Sequence, residues 1–183
     1  MSKRIYGFSP IIFDDSEVLL LGTLPGAISL EKQLYYADES NYFWQFFCEY
    51  VGCDKPSSNE EVAHVLNELK VALWDIYESA LREDDEHKQT SKDSDIVDVE
   101  WNDIVGFLYE YPNIKRVGIL GKKAYKDFMR KYSDIKVRFP YIEVECLPST
   151  SGSNGAQWGG KPIDRNRIGW IKFSEFIGLE SNE

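Results

Sequence analysis

Hydrophobic positions along the chain alternate between two kinds of pattern. Short, largely apolar runs occur at Val18 to Leu21, Val71 to Ile76, Lys115 to Gly121 and Ile142 to Leu147. Val18 to Leu21 is continuously apolar, which predicts a strand buried on both faces of a sheet, and the other three runs are further strand candidates. Between them lie stretches whose apolar residues recur at helical spacing. Asn41 to Val51 carries Phe43, Trp44, Phe47, Cys48 and Val51 on one stripe. Ser57-Ser58-Asn59-Glu60-Glu61 reads as a cap and first helical turn, and Val62, Val65, Leu66 and Leu69 supply the apolar face behind it. Val99 to Tyr109 resumes a helical stripe that Pro112 stops. Lys122 to Tyr132 predicts a basic helix with Ala124, Tyr125, Phe128 and Met129 inward, and a last helix runs from about Asp164 to Phe176.

The remaining segments punctuate these elements. Ile5 to Ile12, with Pro10, reads as a lead-in, and Asp14-Asp15 as a turn. Glu83 to Asp95 is polar without apolar periodicity, which predicts a mobile surface loop. Val137 to Pro140 leads into the fourth strand. Pro148 to Gly155 is too rich in glycine and hydroxyls for anything but a loop. Four strands interleaved with helices predict a three-layer α/β/α sandwich around a central, largely parallel four-stranded sheet. One domain over residues 1–183 is expected, since that length suits one well-buried core and is short for two.

Composition narrows the setting. Apolar and charged fractions of 43% and 28% are those of an ordinary globular protein. No apolar run reaches the length of a membrane span and the N-terminus has no signal-peptide pattern, so a cytoplasmic protein without a membrane partner, and a monomer, is expected. Cys48, Cys53 and Cys146 form neither a CxxC pair nor an even framework, so no metal and no cofactor is expected. The net charge of −10 is unevenly spread. Residues 1–112 hold 8 Lys/Arg and 23 Asp/Glu, whereas residues 113–172 hold 13 Lys/Arg and 5 Asp/Glu. Segregation of this kind allows a basic face on an acidic protein.

Two loops leave the carboxyl ends of strands with polar cargo: Gly22 to Asn41 after the first strand, and Pro148 to Asn154 after the fourth. In open α/β sheets such loops wall the ligand crevice. Tyr35 or Tyr36 offers a flat stacking surface, and Asn41 a neutral donor and acceptor. Ser149, Thr150, Ser151 and Asn154 offer hydroxyls, an amide and backbone N–H groups suited to an anion. By residue type alone, Tyr36 is equally a core aromatic and Asn41 equally a helix N-cap. Asp75 and Arg82 fit a structural hydrogen bond or ion pair better than chemistry. Gly22-Thr23-Leu24-Pro25-Gly26 lacks the lysine of a nucleotide-binding P-loop, and no Gly-x-Ser-x-Gly elbow is present. The only histidines, His64 and His87, fall on a polar helix face and in the acidic loop, which argues against a histidine-based triad.

Taken in order, these segments resemble the uracil-DNA glycosylase superfamily, nearest its hypoxanthine-DNA (deoxyinosine) and mismatch-specific branches. Leu21 to Gly26 resembles the first motif of that family. Tyr36 through Asn41-Tyr42-Phe43-Trp44 resembles its aromatic-to-Asn-x-Phe-Trp segment. Leu73-Trp74-Asp75-Ile76 with Arg82 resembles its Leu-Trp-Asp strand and the arginine beyond. Ile119 to Ala124 is similar to its third strand, and Leu147-Pro148-Ser149-Thr150-Ser151 resembles the second motif. The resemblance implies a DNA glycosylase of base-excision repair whose partner is DNA containing a damaged base. It implies base contacts at Gly22, Thr23 and Tyr36, and catalysis by Asn41. Phosphate contacts are expected from Ser149, Thr150, Ser151 and Asn154, with Lys122, Lys123, Lys161, Arg165 and Arg167 on the DNA-facing surface.

The departures shape the expected chemistry. Leu24 stands where mismatch-specific members carry Asn and uracil-specific members Asp, and leucine cannot orient water. The hypoxanthine branch also lacks that residue and uses the asparagine that maps to Asn41. Gly152 replaces the proline that follows Ser-Thr-Ser in that branch, and Glu39 and Ser40 occupy the region where a proline usually precedes Asn-x-Phe-Trp. Hydrolysis of an N-glycosidic bond passes through an oxocarbenium-like sugar, so holding the departing base can substitute for a strong nucleophile. Hypoxanthine is the expected target. The alternatives are a uracil- or mismatch-specific glycosylase, a nucleic-acid-binding protein of the same fold without catalysis, and an unrelated α/β protein binding an acidic small molecule.

Overall fold

The computed structural model describes residues 3–82, 96–160 and 162–179. The expected loop Glu83 to Asp95, with His87, and the candidate Lys161 lie outside the described residues. The first half of the chain forms β1 (Lys3–Tyr6), β2 (Val18–Gly22), α1 (Ala27–Lys32), α2 (Tyr42–Val51), α3 (Asn59–Glu68), β3 (Val71–Asp75) and β4 (Tyr77–Arg82). The second half adds β5 (Ile96–Trp101), α4 (Ile104–Glu110), β6 (Arg116–Leu120), α5 (Lys122–Lys131) and α6 (Ile135–Arg138). β7 (Glu143–Leu147), a 3₁₀ turn (Gly152–Asn154), α7 (Gly155–Trp158) and α8 (Ile168–Ile177) complete it.

The four apolar runs are the four parallel strands of one sheet, in the order β3-β2-β6-β7. β2 is central, and all five of its residues are buried. Its side chains alternate between two cores, as the pleat of a strand requires. Val18 and Leu20 join the aromatic cluster of α2, α3, α7 and α8, built on Phe43, Trp44, Phe46, Phe47, Trp158 and Phe173. Leu19 and Leu21 join Phe107, Leu108, Ala124, Phe128 and Phe139 from the helical segments of the opposite face. The expected three layers are therefore present, and a strand without polar alternation is the one buried on both sides.

A second sheet, β1-β4-β5, is antiparallel and packs Tyr77, Ala80 and Ile96 into the second core. It corrects the sequence expectation in three places. Lys3–Tyr6 is a strand where a lead-in was expected from Ile5. Tyr77–Arg82 is its partner. Val99 to Trp101 belongs to β5, so the helix expected from Val99 begins at Ile104, capped by Asp103, whose Oδ1 accepts from the Gly106 amide at 2.9 Å. Val97, Val99 and Trp101 repeat at period two, and the helical repeat of Ile104, Phe107 and Leu108 masks them. Two smaller corrections follow. Ile135–Arg138, overlapping the expected lead-in, is a short helix, and the last helix starts at Ile168 because Asp164 folds the preceding residues into a turn, accepting from the Asn166 and Arg167 amides.

Candidate active site

The carboxyl end of β2 is held against its neighbour by the chain's own backbone. Ile76 N–H donates to the Gly22 carbonyl at 2.9 Å, and Tyr77 N–H to that of Thr23 at 3.3 Å. Gly22 has no room for a side chain. A Cβ there would meet Asp75 Oδ1 at 2.6 Å and the Tyr36 hydroxyl at 2.7 Å. The missing side chain lets a buried carboxylate and a phenol converge on the strand end.

Around this point opens a cavity of about 470 Å³. Its walls are Gly22 to Gly26, Ile28, Ser29, Tyr35, Tyr36, Asp38, Ser40, Asn41, Asp75 and Leu120, with Ser149 to Asn154 facing them. The two crevice loops thus meet in one space. They are also bonded to each other, Tyr42 N–H at the start of α2 donating to the Thr150 carbonyl at 2.7 Å, and the second loop is tied to α7 by Trp158 Nε1–H, which donates to the Ser149 carbonyl at 3.0 Å. Gly152 lies so close to Ser40 that an added Cβ would fall 2.7–2.9 Å from its side chain and carbonyl. Two of the three places where the sequence departs from the motifs it resembles are therefore packed on one another.

Asn41 is the N-cap of α2, its Oδ1 accepting from Phe43 N–H at 2.9 Å. That bond fixes the amide plane and leaves both Nδ2 hydrogens for a guest, since no partner of Nδ2 occurs among the described residues. Asp38 shapes the turn before it, its Oδ1 accepting from Ser40 N–H at 2.8 Å and its carbonyl from Asn41 N–H at 3.1 Å. Tyr36 adopts a left-handed backbone (φ 52°), and its ring stacks on Phe43 at 4.2 Å between centroids. Tyr35 also lines the cavity, but its hydroxyl is spent elsewhere. It is buried, donates to the Ser9 carbonyl at 3.2 Å, and burial, then the charge of Asp75, pushes its phenol far above the ordinary range. Of the two candidate tyrosines, both in the cavity wall, Tyr36 is the more exposed.

The cavity also holds a residue that the sequence sets aside as structural. Asp75 is only 3% exposed and lines its wall beside Gly22. Its register opposite Gly22 comes from pairing between strands distant in sequence, which no local pattern reveals. On sequence it reads as a structural residue.

The basic candidates among the described residues fall outside the cavity. Lys123 pairs with Asp127 at 2.8 Å, Arg167 with Asp164 at 3.2 Å, and Arg165 with Glu49 at 3.0 Å while its guanidinium lies over Trp170. Lys122 has no carboxylate within ion-pair distance among the described residues. It opens α5 directly after Gly121, whose missing Cβ would touch Ser149. His64 sits on α3 beside Glu68, away from the cavity. Among the described residues no helix is long and apolar enough to cross a membrane, and no three His, Cys, Asp or Glu are grouped to hold a metal ion.

A parallel sheet with a cavity between the loops after β2 and β7 fits the architecture of the uracil-DNA glycosylase superfamily. A solution NMR structure from Methanosarcina acetivorans, described as a candidate uracil DNA glycosylase, superposes with a TM-score of 0.67 at 26% identity, covering 97% of this chain and 96% of that one. No protein-family model matches the chain. A hypoxanthine DNA glycosylase of Methanosarcina barkeri is 34% identical over 91% of this chain and 95% of its own length. One from Methanosarcina acetivorans is 31% identical over 84% and 89%. The chain belongs to the hypoxanthine DNA glycosylase family.

Proposed function

We propose that this protein hydrolyses the N-glycosidic bond of a deaminated base in DNA, hypoxanthine first, as the opening step of base-excision repair. The observation that carries the reading is the single cavity in which Tyr36, Asn41 and Asp75 face the Ser149–Asn154 loop. A base inside a duplex is out of reach of such a cavity, so the target nucleotide rotates out of the stack and enters it. The Tyr36 ring flanks the base. Hydroxyls and amides of Ser149 to Asn154 hold the adjoining phosphate, and Lys122, at the start of α5 beside Ser149, adds positive charge.

The bond between C1′ and N9 breaks with its electron pair passing to the purine, water oxygen bonds to C1′, one water proton is released and the base takes up one. Negative charge grows on the base as the bond stretches. Asn41 Nδ2–H donates to the base edge where that charge collects, an interaction stronger in the transition state than before it. Asp75 acts earlier, in selection. Deamination turns N1 of adenine from an acceptor into an N–H donor, and a buried carboxylate accepts from that donor but not from the undamaged base. The same chemistry admits uracil, whose N3–H arises from cytosine in the same way, as a second substrate.

Single-turnover incubation with oligonucleotides carrying inosine, uracil or xanthine, followed by alkali cleavage at abasic sites, tests the reading. Cleavage at inosine is expected. Salt-dependent binding without cleavage at any of them would leave a binding protein of the same fold.

A further inference from the structure

We infer that the crossover from β6 to β7 carries a second nucleic-acid site, a surface for a few nucleotides of single strand that lies apart from the cavity. It goes beyond the glycosylase reading and stands without it. Residues 121–142 hold 7 Lys/Arg and 2 Asp/Glu, in a chain whose totals are 21 and 31. All seven cations are exposed. Both carboxylates are paired within the segment: Asp127 with Lys123 at 2.8 Å and Arg130 at 3.1 Å, and Asp134 with Arg138 at 2.6 Å. Lys122, Lys126, Lys131 and Lys136 have no carboxylate within ion-pair distance among the described residues.

The topology carries most of this charge away from the cavity. β6 and β7 are parallel, Arg116 pairing with Glu143 and Leu120 with Leu147. The chain that leaves β6 at the cavity edge of the sheet therefore returns to the opposite edge before β7 begins, and α5 and α6 make that return. α5 starts beside Ser149, and its 10 residues span about 15 Å. DNA seated over the cavity meets the first turn of α5. Lys131 and Lys136 come after α5 has run its length, and neither lines the cavity.

Aromatic rings are interleaved with these cations. Lys131 Nζ lies 5.6 Å from the centroid of the half-buried Trp101 ring. Where the return ends, Tyr109 and Tyr141 are 62% and 53% exposed, and both rings are backed by the buried Phe139, with centroids 4.7 and 6.2 Å away. Lys115 Nζ lies over the Tyr141 ring at 5.0 Å. Positive charge alone suits any polyanion, and the rings narrow the choice. A duplex hides the faces of its bases, and an acidic protein segment matches the charge but leaves the rings without partners. A single strand offers phosphates to the lysines and unpaired bases to the rings.

The test titrates lesion-free oligothymidylate of about 12 nucleotides into wild type and two variants over a range of salt concentrations. One variant combines Lys126→Glu, Lys131→Glu and Lys136→Glu; the other combines Tyr109→Ala and Tyr141→Ala. All five side chains are exposed, and thermal unfolding checks that both variants fold. The charge reversals should weaken binding by roughly 10-fold or more and lower the slope of log affinity against log salt by about 2, since each single-strand phosphate contact contributes about 0.7. The tyrosine variant should lose roughly 10-fold with its slope unchanged, the mark of lost stacking. Excision of inosine from a short duplex should stay at the wild-type rate in the charge-reversed variant. Unchanged affinity and slope after the charge reversals would overturn the site. Unchanged affinity in the tyrosine variant, or displacement of oligothymidylate by polyglutamate of equal charge, would overturn the single-strand assignment in favour of a general polyanion or acidic protein partner. Wild type that binds oligothymidylate as expected but excises no inosine would support this site while overturning the glycosylase reading.

Discussion

Asn41 performs two tasks that substitution can separate. Its Oδ1 caps α2 through Phe43 N–H at 2.9 Å, and α2 places Tyr42, Phe43, Trp44, Phe46 and Phe47 in the core. Its Nδ2 faces the cavity unpaired among the described residues. Asn41→Ala removes both groups. Loss of the cap costs about 1 kcal/mol, which for a domain of this size lowers the melting temperature by about 2–4 °C. Loss of the donor costs roughly 10²- to 10³-fold in base release, the usual effect of deleting one preorganised transition-state hydrogen bond. Affinity for DNA should change far less, because phosphate contacts dominate it.

Asn41→Asp and Asn41→Ser split the two effects. Both residues cap a helix about as well as asparagine, and aspartate also suits the positive end of the helix dipole, so both variants should melt within a degree or so of wild type. Neither presents an N–H to the base. Aspartate replaces the donor with negative charge directed at a leaving group that is itself becoming negative, so its rate should fall at least as far as that of the alanine variant. The assay pairs thermal unfolding with single-turnover excision on an inosine duplex at saturating enzyme. A wild-type rate for Asn41→Asp would refute the argument and assign the work to Oδ1 acting on water. A wild-type rate for Asn41→Ala would remove Asn41 from catalysis altogether.

Three further predictions concern other parts of the molecule. Wild type should excise hypoxanthine over its N1-methylated form by roughly 10²-fold or more, and Asp75→Ala should shrink that ratio, since the substrate donor and the protein acceptor are lost as a pair; an undiminished ratio would remove Asp75 from base selection. Gly152→Ala should cost about 1–3 kcal/mol by forcing a methyl group against Ser40, and Ser40→Gly should recover part of the loss in urea unfolding; additivity of the two changes would refute the packing account. Asp127 is partly desolvated, which raises its pKa, but bonds from Lys123 and the Tyr77 hydroxyl prevail and hold it below the ordinary 3.8. Its contribution to stability is therefore complete above that pH and is lost as pH falls through the depressed value, so the stability gap between wild type and Asp127→Asn should close below pH 3.8; a gap that persisted to the lowest pH would show that charge is not its cause.

How far the sequence discloses this molecule depends on the range over which each feature is determined. β2 is the most legible strand, because burial on both faces needs apolar residues throughout; β3 and β6 come close to that pattern, and β7 shows instead as an alternation in which Glu143 and Glu145 are exposed and Val144 and Leu147 buried. The antiparallel sheet is not legible in this way. β1 is half basic, and β4 breaks its alternation where its pairing with β5 shifts register on either side of Ser79. The two crevice loops are legible because glycine, proline and hydroxyl residues after an apolar run mark a turn at a strand end. The place of Asp75 in the cavity is not, because burial beside Gly22 is a product of the assembled fold. Asn41 lies between these cases. Position and residue type indicate a cap, and the cap reading and the catalytic reading compete for it on sequence. In the structure they cease to compete. Serine, threonine, aspartate and asparagine all cap well, but asparagine alone adds two N–H donors on the plane that the cap bond orients. A helix start that needed only a cap would accept any of the four. One that must also hand a rigid donor to a departing base accepts asparagine.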